Sequence, residues 1–212
     1  AGVGRCIAGH VGLAQPDAVD SLGRGEGSAP CSAAIGGILH HRAGLDADPI
    51  GYWYEQEEKQ EAKVLQAAAE YLSGDPTDIA LTDSTTMGLG LLYSGIRLGS
   101  EQEILTTTHD HYSTETALRL RAERTGAMVR QIHLYRSTKT VSRDEIVDSL
   151  RKSITPMTRI VAVTWVHSST GLKLPIHEMA QAIQAINRSR DERDRIIFCV
   201  DGVHALGVED FR

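Results

Sequence analysis

The sequence has few of the features that mark several common protein classes. It contains only 3 cysteines in 212 residues, and their positions form neither a CxxC pair nor a metal-ligand spacing, so a disulfide framework is not expected. Acidic residues (28) outnumber basic ones (22), and the absence of a basic run argues against nucleic-acid binding. No apolar run approaches membrane-spanning length, and the first residues lack the pattern of an intact secretory signal. We therefore expect a cytoplasmic protein that binds neither nucleic acid nor membranes.

The chain divides into two regions of different composition. Residues 1–48 begin with a stretch rich in Gly, Ala and Ser that shows no sustained period, and such a segment buries too little surface to offset its ordering entropy. We expect an irregular N-terminal arm there. Residues 49–212 are long enough for one substantial core and are expected to form a single domain.

Helix and strand patterns alternate through residues 49–212. Helical spacing occurs at 52–72, 87–96, 114–125, 144–152 and 175–189, and apolar strand patterns at 79–81, 103–106, 128–134, 159–166 and 196–200. The last strand, Ile196 to Val200, has no polar break, which is typical of a strand buried on both faces. This alternation predicts an α/β fold, a three-layer αβα sandwich with a mainly parallel sheet.

Polar residues follow each predicted strand, and in a parallel sheet these positions share one edge. That edge is where open α/β sheets bind ligands. The residues that follow the strands carry hydroxyls, imidazoles and carboxylates: Ser84, Thr85, Thr86, His109, Asp110, His111, His167, Ser168, Asp201 and His204. The opposite strand ends carry Asp78, Glu103, Arg130 and Arg195. The asymmetry predicts one site, with Asp201 beside the dry core and in need of a polar or cationic partner.

Two of these segments allow more than one interpretation. Ser84-Thr85-Thr86 opens a helix and suits either a phosphate site or plain N-capping. His109, His111 and Asp201 contain suitable metal ligands for a metal-assisted hydrolase. The neighbouring hydroxyls favour a hydrogen-bonded organic ligand, so no metal is expected.

Four segments together resemble the class V aminotransferase-like group of fold type I pyridoxal-phosphate enzymes, which includes isopenicillin-N-epimerase-like and cysteine-desulfurase-like proteins. The most specific is Val200 to Gly207, V-D-G-V-H-A-L-G, which resembles the family's V-D-[GA]-x-[HQ]-[AS]-x-G. The others are D-S-T-T-M-G at 83–88, D-H-Y-S-T at 110–114 and V-H-S-S-T-G at 166–171. The resemblance implies that residues 49–212 are the pyridoxal 5′-phosphate-binding large domain.

The resemblance also implies a role for each site residue. Asp201 would pair with the protonated pyridine nitrogen, so that the ring accepts electrons from the substrate Cα. His111 would stack on the ring face and act as a catalytic residue that relays protons. Thr85 and Thr86 would hold the phosphate, and His204 and Ser168 would lie at the phenolic oxygen. His109 and His167 have no implied role and are expected to be satisfied loop residues.

The family's Schiff-base lysine lies beyond the position that matches Arg212, and none of this chain's own lysines matches it. We therefore expect an incomplete chain that is inactive alone and forms a homodimer when complete. Its substrate would be an amino acid, and epimerase, transaminase and C–S lyase chemistry all remain open. A non-catalytic or split-gene domain that binds a phosphorylated ligand or completes another subunit is the alternative.

Overall fold

A computed structural model describes residues 5–8 and 29–209, with side chains from residue 34 onward. The chain separates into two compact units. In the described residues, one unit comprises 5–8 and 82–206, and the other comprises 29–81 and 207–209. No helix among these residues is both long enough and apolar enough to cross a membrane.

The smaller unit is built on two helices, α1 (Ala29–Ala47) and α2 (Pro49–Leu72). The helices contact each other through His41 Nδ1 and the Tyr52 hydroxyl, 2.7 Å apart. The side chain of Asp48 caps α2 by accepting from Gly51 N, and α2 ends where Ser73 adopts the left-handed conformation, φ 53°. A short 3₁₀ turn, Pro76–Asp78, follows.

The larger unit contains a five-stranded sheet in the order β1-β5-β4-β2-β3. The strands are β1 (Arg5–Ala8), β2 (Glu103–Thr107), β3 (Met128–Ile132), β4 (Thr158–Thr164) and β5 (Ile197–Asp201). Every neighbouring pair is parallel. The predicted α/β class and parallel sheet are confirmed.

Helices cover both faces of this sheet. The helices are α3 (Thr85–Gly95), α4 (Tyr112–Thr125), α5 (Arg143–Ser153) and α6 (Ile176–Asn187). Alternate residues of each strand point to opposite faces, so each face has its own core. On one face Leu89 and Leu118 of α3 and α4 share a core with Ile104 and Cys199. On the other face lie the apolar residues of α5 and α6: Ile146, Leu150, Met179 and Ile183.

The helix boundaries follow from capping residues in the sequence. Ser84 and Ser142 begin α3 and α5, their hydroxyls accepting from Met87 N and Glu145 N, both at 3.1 Å. Gly126 ends α4 in the left-handed conformation, φ 75°, which glycine adopts without steric cost. The side chain of Glu145, three residues after Ser142, accepts at Oε1 from Arg136 N at 3.0 Å.

Two segments differ in secondary structure from the prediction. Residues 1–48 were expected to be irregular, yet residues 5–8 form a strand and Ala29–Ala47 form a helix. The alanine-rich composition favours a helix even without an apolar period. The rest of the expected arm lies outside the described residues. Residues 79–81 were expected to form a strand, but they pair with no described strand, and Leu81 is exposed.

Candidate functional site at the carboxyl edge of the sheet

The sheet changes its direction of winding between β2 and β4. The chain leaves β2 through α4 towards β3, and it leaves β4 through α6 towards β5, on the other side. These two helices cover opposite faces. Such a switch point leaves a crevice at the carboxyl ends of the two strands, where open α/β sheets bind ligands. The switch point therefore lies at the edge of the sheet that carries the predicted site residues.

Asp201 is the buried carboxylate of this edge. It is the last residue of β5 and only 4% exposed. Its Oδ1 accepts a hydrogen bond from Val203 N at 3.1 Å. Burial raises the pKa of Asp201, the Val203 N–H lowers it, and the negative charge of Asp110 raises it further. The side chain therefore needs a cationic partner to remain an anion at little cost.

Asp110 has the richest hydrogen bonding of the acidic residues at this edge. Its Oδ2 accepts from Thr106 Oγ1 at 2.8 Å and from Thr107 N at 2.7 Å. Its Oδ1 accepts from Thr164 N at 2.6 Å. The carboxylate thus joins the ends of β2 and β4. From the sequence, Asp110 was predicted to lie among the polar residues of this edge, but its bonds to both strands were not predicted.

His111 and His204 are close enough to Asp201 to act on it electrostatically, and both lower its pKa. His111 is the N-cap of α4, where its Nδ1 accepts from Ser113 N at 3.4 Å and lies 2.7 Å from Ser113 Oγ. An Nδ1 that accepts is unprotonated in the neutral ring, so the ring proton is on Nε2. The structure therefore brings Asp201 together with two of the predicted site residues.

The other predicted site residues lie on neighbouring segments. Thr85 is the first residue of α3, and its Oγ1 is buried without a hydrogen-bond partner in the described structure. Thr86 is exposed beside it. Ser168 is exposed in the turn after β4. No direct contact joins these three described side chains to Asp201, so their roles remain predictions.

A stack of three rings lies beside the site. The His109 and Tyr135 rings are parallel within 6° with centroids 4.8 Å apart, and His109 lies 5.4 Å from His167. His167 is fully buried, and neither ring nitrogen has a hydrogen-bond partner in the described structure. The expectation of a satisfied loop histidine is wrong for His167. The chain turns back after it, with His167 N donating to Leu172 O at 3.0 Å and Leu174 N donating to Trp165 O at 2.8 Å.

We predict that His167 makes the chain sensitive to mild acid. Burial lowers its pKa, and the nearby Asp110 only partly opposes this. Because the unfolded chain then binds a proton that the folded chain does not, stability falls as the pH drops below about 6.5, by up to about 1.4 kcal/mol per pH unit. His167→Phe should fill the same stack and flatten this dependence in urea unfolding at pH 7 and pH 5. The exposed His177→Phe is the control, and equal pH dependence in both variants contradicts the prediction.

The histidines and acidic residues of this edge do not form a metal centre in the described structure. Among the described residues, no group of three or more His, Cys, Asp or Glu side chains is arranged to hold a metal ion. The His109 ring, which the metal-hydrolase alternative required, stacks on Tyr135.

Comparison with known proteins gives one family. A family model described as aminotransferase class-V matches residues 50–210. Isopenicillin N epimerase of Streptomyces clavuligerus is 27% identical over 192 residues, which cover 91% of this chain and 46% of that protein. Isopenicillin N epimerase of Amycolatopsis lactamdurans is 26% identical over 171 residues, covering 80% and 41%. The chain thus spans less than half the length of these curated relatives.

Solved structures share the fold. The cystine C–S lyase C-DES, in complex with its product cysteine persulfide, superposes with a TM-score of 0.57 at 22% identity, over 96% of this chain and 47% of that one. The cysteine desulfurase CsdA of Escherichia coli superposes with a TM-score of 0.53 at 18% identity, over 88% and 41%. Another C-DES structure holds glycine covalently linked to its PLP cofactor.

Proposed function

Because this chain belongs to the class-V aminotransferase family, we propose that it is the cofactor-binding part of an enzyme that acts on an amino acid with pyridoxal phosphate. The family uses this cofactor. The observation that carries the proposal is the buried carboxylate of Asp201 at the end of β5, within electrostatic range of His111 and His204.

The polar groups of the crevice fit this cofactor. The buried carboxyl of Asp201 accepts a hydrogen bond from Val203 N and has no cationic side chain bonded to it among the described contacts, so a protonated ring nitrogen would suit it as a partner. Thr85 Oγ1 and Thr164 Oγ1 are buried without hydrogen-bond partners. Thr85 also lies in the first turn of α3, whose free N–H groups attract phosphate.

When bound, pyridoxal phosphate withdraws electrons from the substrate Cα and so acidifies the Cα proton. Asp201 would hold the ring nitrogen protonated, because a carboxylate in a desolvated setting strongly favours a cationic partner. Thr85 and Thr86 would bind the phosphate. Ser168 and His204 would hydrogen-bond at or near the phenolic oxygen.

His111 would orient the cofactor ring and transfer protons. Its Nδ1 is engaged in capping α4 through Ser113, which fixes the plane of the imidazole. The atom available to hold or release a proton near the substrate is therefore Nε2. A neutral imidazole suits this task near pH 7.

Among the reactions of the family, we infer an epimerase-type exchange of the proton on an amino acid Cα, because both curated relatives are isopenicillin N epimerases. His204 also supports this branch, because it stands at a position where Gln is usual in cysteine-desulfurase-like proteins. Transamination and C–S cleavage are the alternatives. We propose further that the full-length protein is a cytoplasmic homodimer.

Binding of pyridoxine phosphate tests the site, because this analogue lacks the aldehyde and needs no lysine. His111→Ala removes the stacking ring and should weaken binding by about 0.5–1.5 kcal/mol, roughly two- to tenfold. His111→Phe keeps a ring and should bind almost as well as the unaltered protein. Both variants lose the same N-cap, so their difference isolates the stacking. Calorimetric titration measures it, and equal weakening in the two variants contradicts the stacking role.

The nature of the ligand is tested by titrating the full-length protein with pyridoxine phosphate, pyridoxine and inorganic phosphate. We expect pyridoxine phosphate to bind most tightly, since it alone engages both Asp201 and the start of α3. A protein that binds inorganic phosphate equally well would favour a general phosphate-binding domain and overturn the proposed function.

A further inference from the structure

The main-chain pairing of the sheet stops early at the switch point. The register between β2 and β4 runs from Glu103↔Thr158 to Leu105↔Val161. By contrast, β4 and β5 remain paired to Thr164↔Asp201, and β2 and β3 to Thr107↔Ile132. Among the described strands, the main-chain pairing of β2 with β4 therefore stops short of their carboxyl ends.

The carboxylate of Asp110 takes the place of the missing pairing. Thr107 N on β2 and Thr164 N on β4 both donate to it, at 2.7 Å and 2.6 Å, and Thr106 Oγ1 donates at 2.8 Å. Charge-assisted bonds of this length are strong and directional. One side chain thus sets the separation of the two strands at the mouth of the crevice.

The same side chain is linked to both groups that would contact the cofactor ring. Asp110 directly precedes His111, the N-cap of α4. Its partner Thr164 is paired with Asp201 in the β4–β5 register, and Trp165 N donates to Asp201 O at 2.8 Å. A shift of the Asp110 carboxylate would therefore change the position of His111 relative to Asp201.

We infer that Asp110 is a positioning residue, which fixes the distance between the ring-stacking His111 and the Asp201 carboxylate by joining the ends of β2 and β4. This inference rests on the proposed function. Asp110 also sets the charge around Asp201, which is faced by Asp110 from the β2–α4 loop, by His111 from α4 and by His204 from the segment after β5.

The test is the pH profile of pyridoxine phosphate binding in the full-length protein. In Asp110→Asn the amide NH₂ faces a backbone N–H donor, so one bridging bond is lost, and we expect roughly tenfold weaker binding near neutral pH. The removal of a negative charge lowers the pKa of Asp201. The loss of affinity at acid pH, which is the acid limb of the profile, should therefore move to lower pH. Asp110→Glu keeps the charge, and its acid limb should stay in place.

Thr106→Val is the matched control, because it removes one bond to Asp110 and leaves both the charge and the bridge between the strands. It should lower the thermal midpoint and change the affinity less than twofold. If Asp110→Asn lowers the midpoint but leaves affinity and acid limb unchanged, Asp110 is only structural and the inference is wrong. If Asp110→Asn does not fold, an acid limb that moves in Asp110→Glu overturns it. If the unaltered protein binds no pyridoxine phosphate at all, the proposed function fails instead.

Discussion

Asp201→Asn is expected to weaken pyridoxine phosphate binding by roughly a hundredfold or more, because it removes one partner of a buried ion pair, a loss that costs about 3–5 kcal/mol. The Asn side chain has nearly the same shape, and its oxygen can still accept from Val203 N. The loss of affinity therefore measures the contribution of the negative charge of Asp201. Calorimetric titration of the full-length protein near neutral pH measures it.

The same substitution is expected to stabilise the ligand-free protein by about 1–2 kcal/mol near neutral pH, since it removes a buried charge to which no described cationic side chain is bonded. Burial raises the pKa of Asp201 above its ordinary value, so the folded state holds a proton that the unfolded state has already released. The stability of the folded protein thus falls as the pH rises from the ordinary pKa of an aspartate to the raised pKa of Asp201, and it stays low above that pH. The gain in Asp201→Asn should shrink as the pH is lowered towards about 4.

Urea unfolding at several pH values measures this gain, and Asp191→Asn is the control. Asp191 is exposed, and its side chain makes no capping bond, so its neutralisation should change stability by less than about 0.5 kcal/mol. If Asp201→Asn is instead less stable, and its free energy of unfolding depends on pH as that of the control does, the carboxylate is structural.

Arg130→Met is expected to destabilise the protein by about 3 kcal/mol, because it leaves the buried carboxylate of Glu103 without its cationic partner. Glu103 is only 2% exposed at the start of β2, and Arg130 on β3 donates to it from Nε at 2.7 Å and from Nη2 at 2.9 Å. Burial acts to raise the pKa of Glu103, but the bonds from Arg130 and Thr158 outweigh it and hold the pKa below its usual value. This contribution is present at neutral pH and is lost as the pH falls through the pKa of the folded state.

The control for this pair is Arg119→Met on α4. Arg119 and Glu123 are also in contact, at 2.6 Å, but both side chains are 57% exposed, and an exposed pair contributes only about 0.2–1 kcal/mol. The double substitution Glu103→Gln with Arg130→Met should recover part of the lost stability, because it also removes the unpaired charge of Glu103. Equal urea midpoints for Arg119→Met and Arg130→Met would contradict the account of the buried pair.

The sheet and its helices were predictable because apolar runs and capping residues are local signals. Ser142, Gly126 and the unbroken run at 196–200 each specify a boundary within a few residues. The helix Ala29–Ala47 was missed because it has no clear apolar face to read. The short apolar segment 79–81 was misread because a strand also needs a partner, which three residues cannot specify.

The site was predictable in its location and only partly in its organisation. Asp201 could be predicted because it ends the most apolar strand. The bridge made by Asp110 could not, because the sequence does not state that β4 lies beside β2 and that their pairing ends at Leu105 and Val161. The burial of His167 was also not predictable, since its ring lies beside the rings of His109 and Tyr135, which are distant in the sequence.

The most direct test of the account is the protonation state of the ligand's ring nitrogen. Pyridoxine phosphate, isotopically labelled at that nitrogen and bound to the full-length protein, is observed by NMR while the pH is raised. We predict a nitrogen that stays protonated well above the pH at which the free ligand loses its proton, and that becomes neutral when Asp201→Asn binds the same ligand. A neutral nitrogen in the unaltered protein, or the same protonation in both, would contradict the account.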